Sequence, residues 1–262
     1  MKTLVVGTAR DISHVWSETS RYLDIVFAAL EDYECLIVES NSSDSTLTVL
    51  NDWARENSRR KILSLGNLSE ESRTKRIAYC RNKYMEYLDD NISQFDYMLA
   101  VDLDSSLEID PDFKNQLRSC FVRNDWDAVA SNRRGRYYDI WALRSKQLGI
   151  DFDCWEIVNS PTTLYNRPRS IRFITHRVNS LPTRDELVYH FVRRYQQVIP
   201  ESADWIECQS AFGGMALYKA SSVRGRRYSG DSTCEHVSFN SGLKMFINPY
   251  FISGGEPLEH LP

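Results

Sequence analysis

The 262-residue chain contains no Cys-x-x-Cys pair, no block of like charge, and no run approaching the roughly 20 apolar residues needed to span a bilayer. Its six cysteines (Cys35, Cys80, Cys120, Cys154, Cys208 and Cys234) stand singly. That spacing argues against a structural zinc site and against a dense disulfide framework, and reads as reduced thiols in a cytosolic protein. The 32 basic and 36 acidic residues are interspersed and leave a formal net charge of -4, so there is no electrostatic footprint for nucleic acid. An anionic substrate would therefore need a local basic cluster. Met1-Lys2 leads into Thr3-Leu4-Val5-Val6-Gly7, an apolar run too short for a signal peptide, and polar Thr8-Ala9-Arg10-Asp11 follows at once. The expected setting is the cytoplasm, with any work at a membrane peripheral.

What is present alternates between two periodicities. Residues 3–7, 35–39, 61–65 and 97–101 are short apolar runs of strand length. Between them, residues 17–30, 47–57 and 72–88 repeat apolar positions at helical spacing, and the polar turn Ser40 to Thr46 is rich in capping residues. Strand alternating with helix predicts a parallel α/β sheet, and the length suits a single core. Ligands in such sheets sit beyond the carboxyl ends of the strands. Three predicted strands end in chemistry: Thr8-Ala9-Arg10, Glu39-Ser40-Asn41 and Asp102-Leu103-Asp104.

The last of these carries the clearest chemistry. Side chains alternate at a strand's end, so Asp102 and Asp104 point to one side, where two carboxylates hold a hard divalent cation and a diphosphate completes its shell. Two aspartates near a turn are common by themselves. Their place directly after the apolar run Leu99-Ala100-Val101 favours the metal.

Taken in order, Val38 to Thr46, Arg76-Ile77-Ala78-Tyr79-Cys80-Arg81-Asn82 and Phe95 to Asp104 resemble the glycosyltransferases of the GT-A fold, and more loosely the fungal capsule-associated mannosyltransferase type. The resemblance implies a single Rossmann-like α/β domain with a mostly parallel central sheet flanked by helices and a smaller mixed acceptor-side region. Residues 1–110 would form the nucleotide-sugar half and 111–262 the acceptor half. It implies a manganese or magnesium ion on Asp102 and Asp104, a UDP- or GDP-sugar donor, and transfer to a hydroxyl of a glycan or polysaccharide.

Residue by residue, Thr8, Ala9, Arg10 and Glu39 match positions that contact the donor's base and ribose. Arg76, Arg81 and Asn82 match helix residues near the donor sugar and diphosphate, and Asp102 is also expected to reach the ribose. Arg81 could equally pair with Glu86 or Asp89 on its own helix, and Asn41, grouped with the donor residues, could be a turn residue. In the second half, Tyr138, Asp139 and Trp141 resemble the acceptor platform, since aromatic faces suit sugar C–H surfaces; Trp141 as a core residue is the other reading. Residues Trp205 to Tyr218 resemble the glycine-containing strand beside the acceptor, where Gly213-Gly214 would admit a ligand or form a bulge.

The stretch Gly230 to Asn240 stands where this family commonly has an acidic pair opening a helix, which makes Glu235 the candidate catalytic base and Asp231 its competitor. The chain departs from that pattern by placing His236 after Glu235. His236 then reads as an acceptor contact, a metal ligand or a helix-surface imidazole. After a predicted strand at 244–252, His260 is the candidate third metal ligand or part of a tail. Two other functions use a similar sheet. A sugar nucleotidyltransferase normally has a glycine-rich basic loop after the first strand, which Gly7 to Asp11 does not supply, and a non-catalytic glycan-binding module would bind sugar without turnover.

Overall fold

A computed structural model describes residues 1–70, 72–104, 110–160, 182–231 and 233–254. One eight-stranded mixed sheet runs through them. The first half supplies β1 (Lys2–Ala9), α1 (Trp16–Ala29), β2 (Asp32–Glu39), α2 (Thr46–Arg55), β3 (Arg60–Ser64), α3 (Arg73–Asp90) and β4 (Tyr97–Val101). Then follow α4 (Phe113–Ser119), β5 (Ala128–Asn132), α5 (Cys154–Asn159), α6 (Arg184–Phe191), β6 (Ile206–Cys208), β7 (Met215–Lys219), α7 (Ala220–Val223), α8 (Glu235–Asn240) and β8 (Met245–Ile252).

The strand order is β3-β2-β1-β4-β7-β5-β8-β6. Pairings β1 with β2, β1 with β4, β2 with β3 and β5 with β8 are parallel, and β7 runs antiparallel between β4 and β5. The expected α/β domain with a largely parallel sheet is observed, and each antiparallel pairing involves β6 or β7 of the second half of the chain.

Both faces of the sheet are covered. Leu4, Val6, Met98 and Ala100 pack on one side with residues of α3, α5, α6 and α8, while Val5, Leu99 and Val101 pack on the other with α1, α2 and α4. Burial on both faces explains why these strands read as unbroken apolar runs instead of alternating ones. The six cysteines are free and buried within these layers. Among the described residues, no helix is long and apolar enough to cross a membrane.

One prediction at strand level needs correction. Trp205 to Tyr218, expected as a single glycine-containing strand, is two strands that are not neighbours: β6 pairs with β8, and β7 with β4 and β5. Gly213 and Gly214 form the turn entering β7 at φ 67° and 92°. A Cβ on Gly213 would stand 2.5 Å from the Ser131 carbonyl oxygen, so the pair lets this turn press against the end of β5.

The order β2-β1-β4 makes the chain leave β1 in opposite directions across the sheet, which opens a crevice beyond the carboxyl ends of β1 and β4. The loop closing one side of it is fixed by α2. Thr46 Oγ1 accepts from the backbone N–H groups of Ile12 (2.7 Å) and Ser13 (3.0 Å), and Asp44 holds the Ser13 hydroxyl at 2.6 Å.

Candidate functional site

The crevice holds two adjoining cavities. The larger, about 530 Å³, takes Thr8 from β1, Arg73, Ile77 and Arg81 from α3, and Asp102 and Asp104 from beyond β4. Its other wall is Tyr138, Asp139, Trp141, Trp155, Phe212, Glu235 and His236. The smaller, about 270 Å³, is lined by Thr8, Ala9, Arg10, Ser40, Arg76 and Cys80, and the two share Thr8, Arg73, Ile77 and Asp104.

Asp102-Leu103-Asp104 is held rigidly for a segment just past a strand. The Asp102 N–H donates to the Gly214 carbonyl at 2.9 Å, Leu103 is buried with the core of one sheet face, and its carbonyl accepts from Thr19 Oγ1 at 3.1 Å. With Leu103 turned into the core, both aspartates line the cleft. Four carboxylates, those of Asp102, Asp104, Asp139 and Glu235, line one cavity. Burial, then the neighbouring Asp104, push the Asp102 carboxyl up to about 8, against the opposing pull of Arg81.

Arg81 is the buried cation facing that charge. Its guanidinium lies 3.3 Å from Glu235 and 3.6 Å from Asp102, and sits over the rings of Phe212 and Tyr228. The intrahelical partners open to Arg81 in the sequence are taken by others: Lys83 holds Glu86, and Arg227 holds Asp89.

Asp139 accepts from the backbone N–H groups of Gly213 (3.1 Å) and Ala142 (3.3 Å). Trp141 donates its indole N–H to Asp153 at 3.3 Å. Asp153 also holds Arg144 at 3.0 Å, receives the Thr233 hydroxyl and caps α5 through the Trp155 and Glu156 N–H groups. One carboxylate thus orients the Trp141 ring and anchors the segment that leads into α8.

Other residues proposed for the site lie outside the cavity walls. Glu39 is buried, accepting from the Ser64 hydroxyl at 2.6 Å and the Ser42 N–H at 3.1 Å. Asn41 has φ 56° and exchanges two hydrogen bonds with the Leu68 backbone, a turn role. Asn82 clamps Tyr228 by receiving its N–H (2.8 Å) and donating to its carbonyl (3.1 Å). Asp231 pairs with Lys75 at 3.4 Å. His260 falls outside the described residues.

Sequence reasoning missed Arg73, Ile77, Trp155, Phe212 and Cys234. For the first two a signal existed, since positions 73, 77 and 81 are spaced by four and share one face of α3. For Trp155 and Phe212 there was none, because both sit in short or irregular segments.

The Tyr228 to Cys234 segment delivers Glu235 and His236 to the cleft, and it is laced to α3. Besides the Asn82 clamp, the Thr74 hydroxyl donates to the Gly230 carbonyl at 2.8 Å. Gly230 permits this approach: a Cβ there would lie 2.4 Å from the Thr74 carbonyl carbon and oxygen and 2.6 Å from the Lys75 nitrogen. These are backbone atoms of a helix and cannot turn aside. Gly230→Ala is expected to cost about 1–3 kcal/mol by overpacking. By displacing the start of α8 it should also lower any turnover by at least about tenfold. Urea denaturation and steady-state rates check the two effects.

Among the described residues, no group of three or more His, Cys, Asp or Glu side chains is arranged to hold a metal ion unaided. Asp102 and Asp104 nevertheless fit a hard cation as partial ligands. Burial raises Asp102 most and the carboxylates of Asp104, Asp139 and Glu235 add to it; that negative charge is what a divalent ion would offset.

No protein-family model matches the chain, and no curated protein matches it in sequence. Its fold is found among solved structures. The mannosyltransferase PcManGT of Pyrobaculum calidifontis, in complex with GDP-Man and Mn2+, is similar at TM-score 0.54 and 13% identity over 98% of this chain and 57% of that one. S. aureus TarS is similar at TM-score 0.50 and 10% identity over 94% of this chain and 35% of that one. The chain thus spans between about a third and somewhat over half of these proteins. The shared fold is the GT-A-like glycosyltransferase fold.

Proposed function

We propose that the protein is a metal-dependent glycosyltransferase that moves a sugar from a nucleoside-diphosphate sugar to a hydroxyl of a glycan or polysaccharide. The observation that carries this reading is the pair Asp102 and Asp104, fixed past β4 at the switch point of a GT-A sheet and lining one cleft with Arg73 and Arg81.

On this reading the smaller cavity takes the nucleoside between Thr8, Ala9, Arg10 and Arg76, with Glu39 and Asn41 shaping the turn behind it. Asp104 and Asp102 would hold manganese or magnesium. When bound, the ion supplies positive charge to the departing diphosphate. Arg73, at the junction of the two cavities, adds a basic group on the diphosphate's path. The donor sugar and acceptor share the larger cavity, with Trp141 and Tyr138 as stacking faces and Asp139 beside them. Gly213 and Gly214 shape that wall from behind. Of the two carboxylates considered for proton transfer, Glu235 lies at the cleft and Asp231 is 74% exposed outside it.

The test is turnover of a panel of UDP- and GDP-sugars with Mn2+ and oligosaccharide acceptors. Release of nucleoside diphosphate matched by a glycosylated product is expected. Sugar binding without turnover would favour the glycan-binding alternative, and formation of nucleotide sugar from a sugar phosphate and a nucleoside triphosphate would favour the nucleotidyltransferase.

A further inference from the structure

Glu235 and His236 are adjacent at the start of α8 and both line the larger cavity, but they are held in opposite ways. Both carboxylate oxygens of Glu235 are engaged: Oε1 lies 3.3 Å from Arg81 Nε, and Oε2 accepts from the Cys234 thiol at 3.8 Å. His236 is 3% exposed, its ring stacked on Phe212 with centroids 4.0 Å apart and set edge-on to Tyr228 at 5.7 Å. Among the described residues neither of its ring nitrogens has a hydrogen-bond partner, although Nε2 stands 3.9 Å from Glu235 Oε1.

A buried imidazole with two unmatched nitrogens costs free energy that a ligand group would recover. The ligand must both donate and accept without carrying charge into an aromatic pocket, which describes a sugar hydroxyl. Burial, reinforced by the positive charge of Arg81, holds the His236 ring well below the usual histidine range, so the free ring is neutral and keeps a nitrogen lone pair that can accept a hydrogen bond. Asp231 lies outside the cavity wall, bound to Lys75 and to the Ser229 hydroxyl.

We infer that His236 is the group that accepts the proton of the attacking acceptor hydroxyl, and that Glu235 is its ion-pair partner and not the base. The inference rests on the glycosyl-transfer reading above. In the step, the acceptor oxygen bonds to the anomeric carbon as the bond from that carbon to the diphosphate oxygen breaks. The bonding pair leaves on the nucleoside diphosphate, and the hydroxyl proton passes to an imidazole nitrogen. The imidazolium then has the Glu235 carboxylate 3.9 Å away to offset its charge, and returns its proton to water as products leave. Direct displacement inverts the anomeric configuration. Glu235 acts as a positioning residue.

The test uses the full chain with Mn2+ and a nucleotide sugar and acceptor that the wild type turns over. His236→Ala and His236→Asn are expected to lose about 10²–10⁴-fold in kcat, the scale of general-base catalysis, while nucleoside diphosphate binding stays within about threefold. Free imidazole should restore His236→Ala by at least about tenfold, and NMR of the wild-type product should show inversion. Retained kcat in either variant, a loss that imidazole does not rescue in a variant still binding nucleotide, or a product of retained configuration would each overturn the role of His236. A wild type that binds Mn2+ and nucleoside diphosphate yet turns over no nucleotide sugar would overturn the transferase reading itself, and His236 with it.

Discussion

Asp102→Asn is expected to lower transfer by about 10³-fold or more while making the ligand-free protein more stable. On the proposed reading the activity loss follows from removing a carboxylate that would hold the ion, since electrostatic stabilisation by a bound ion amounts to several kcal/mol and each 1.36 kcal/mol is about tenfold in rate. The stability gain follows from the Asp102 environment. Its carboxyl is pushed up to about 8, chiefly by burial and next by Asp104, whereas an aspartate in the unfolded chain titrates near 3.9. Between about pH 4 and 8 the native state therefore binds more protons than the unfolded chain, and this group's contribution to stability falls as pH rises through that window. Asparagine has no such dependence. The Asp102 side chain is 25% exposed, and contact with water moderates the effect. In chelator, urea denaturation at pH 9 should still favour the variant by at least about 1 kcal/mol, or about 2–4 °C in Tm for a chain of this size. The advantage should shrink toward pH 4. The buried neutral His236 loses stability as pH falls below the usual histidine range, but it does so in both proteins and cancels in the comparison.

Arg81→Met carries the opposite sign. Arg81 is buried against Glu235, whose side chain is 8% exposed, and against Asp102. Methionine would fill much of the space over Phe212 and Tyr228 but leave both carboxylates without their cation. Removing one partner of a buried pair typically costs about 3–5 kcal/mol. The loss should grow as pH rises through about 8, where the Asp102 carboxyl ionises. Arg81→Met/Glu235→Gln is expected to recover at least about 1 kcal/mol of it, which a double-mutant cycle measures. Additivity of the two substitutions would show that the 3.3 Å contact contributes nothing to folding.

The first half of the chain was legible because its elements are local and strongly patterned. Apolar runs ended where β2 and β4 end and two residues before the end of β1, and the chemistry at those ends could be read without pairing partners. The order of the second half was hidden. That β7 inserts between β4 and β5 while β6 goes to the far edge depends on long-range pairing, and a run containing two glycines gave no local sign of being two strands. Arg81 was ambiguous for a different reason, since acidic residues on its own helix offered an equally plausible partner. Only the packing of Phe212 and Tyr228 around the guanidinium shows which side it faces. Asn82 looked like a ligand contact and is bonded on both sides to the Tyr228 backbone, a use of the same hydrogen-bonding groups that sequence cannot distinguish.

The central claim is that Asp102 and Asp104 join a divalent ion to a nucleoside diphosphate in this cleft. Calorimetric titration of UDP and GDP into the wild type and into Asp104→Ala, each with and without Mn2+, tests it most directly. One nucleotide should bind the wild type at least about tenfold more tightly with Mn2+, and that gain should vanish in Asp104→Ala. Equal affinity with and without Mn2+, unchanged by the substitution, would contradict it.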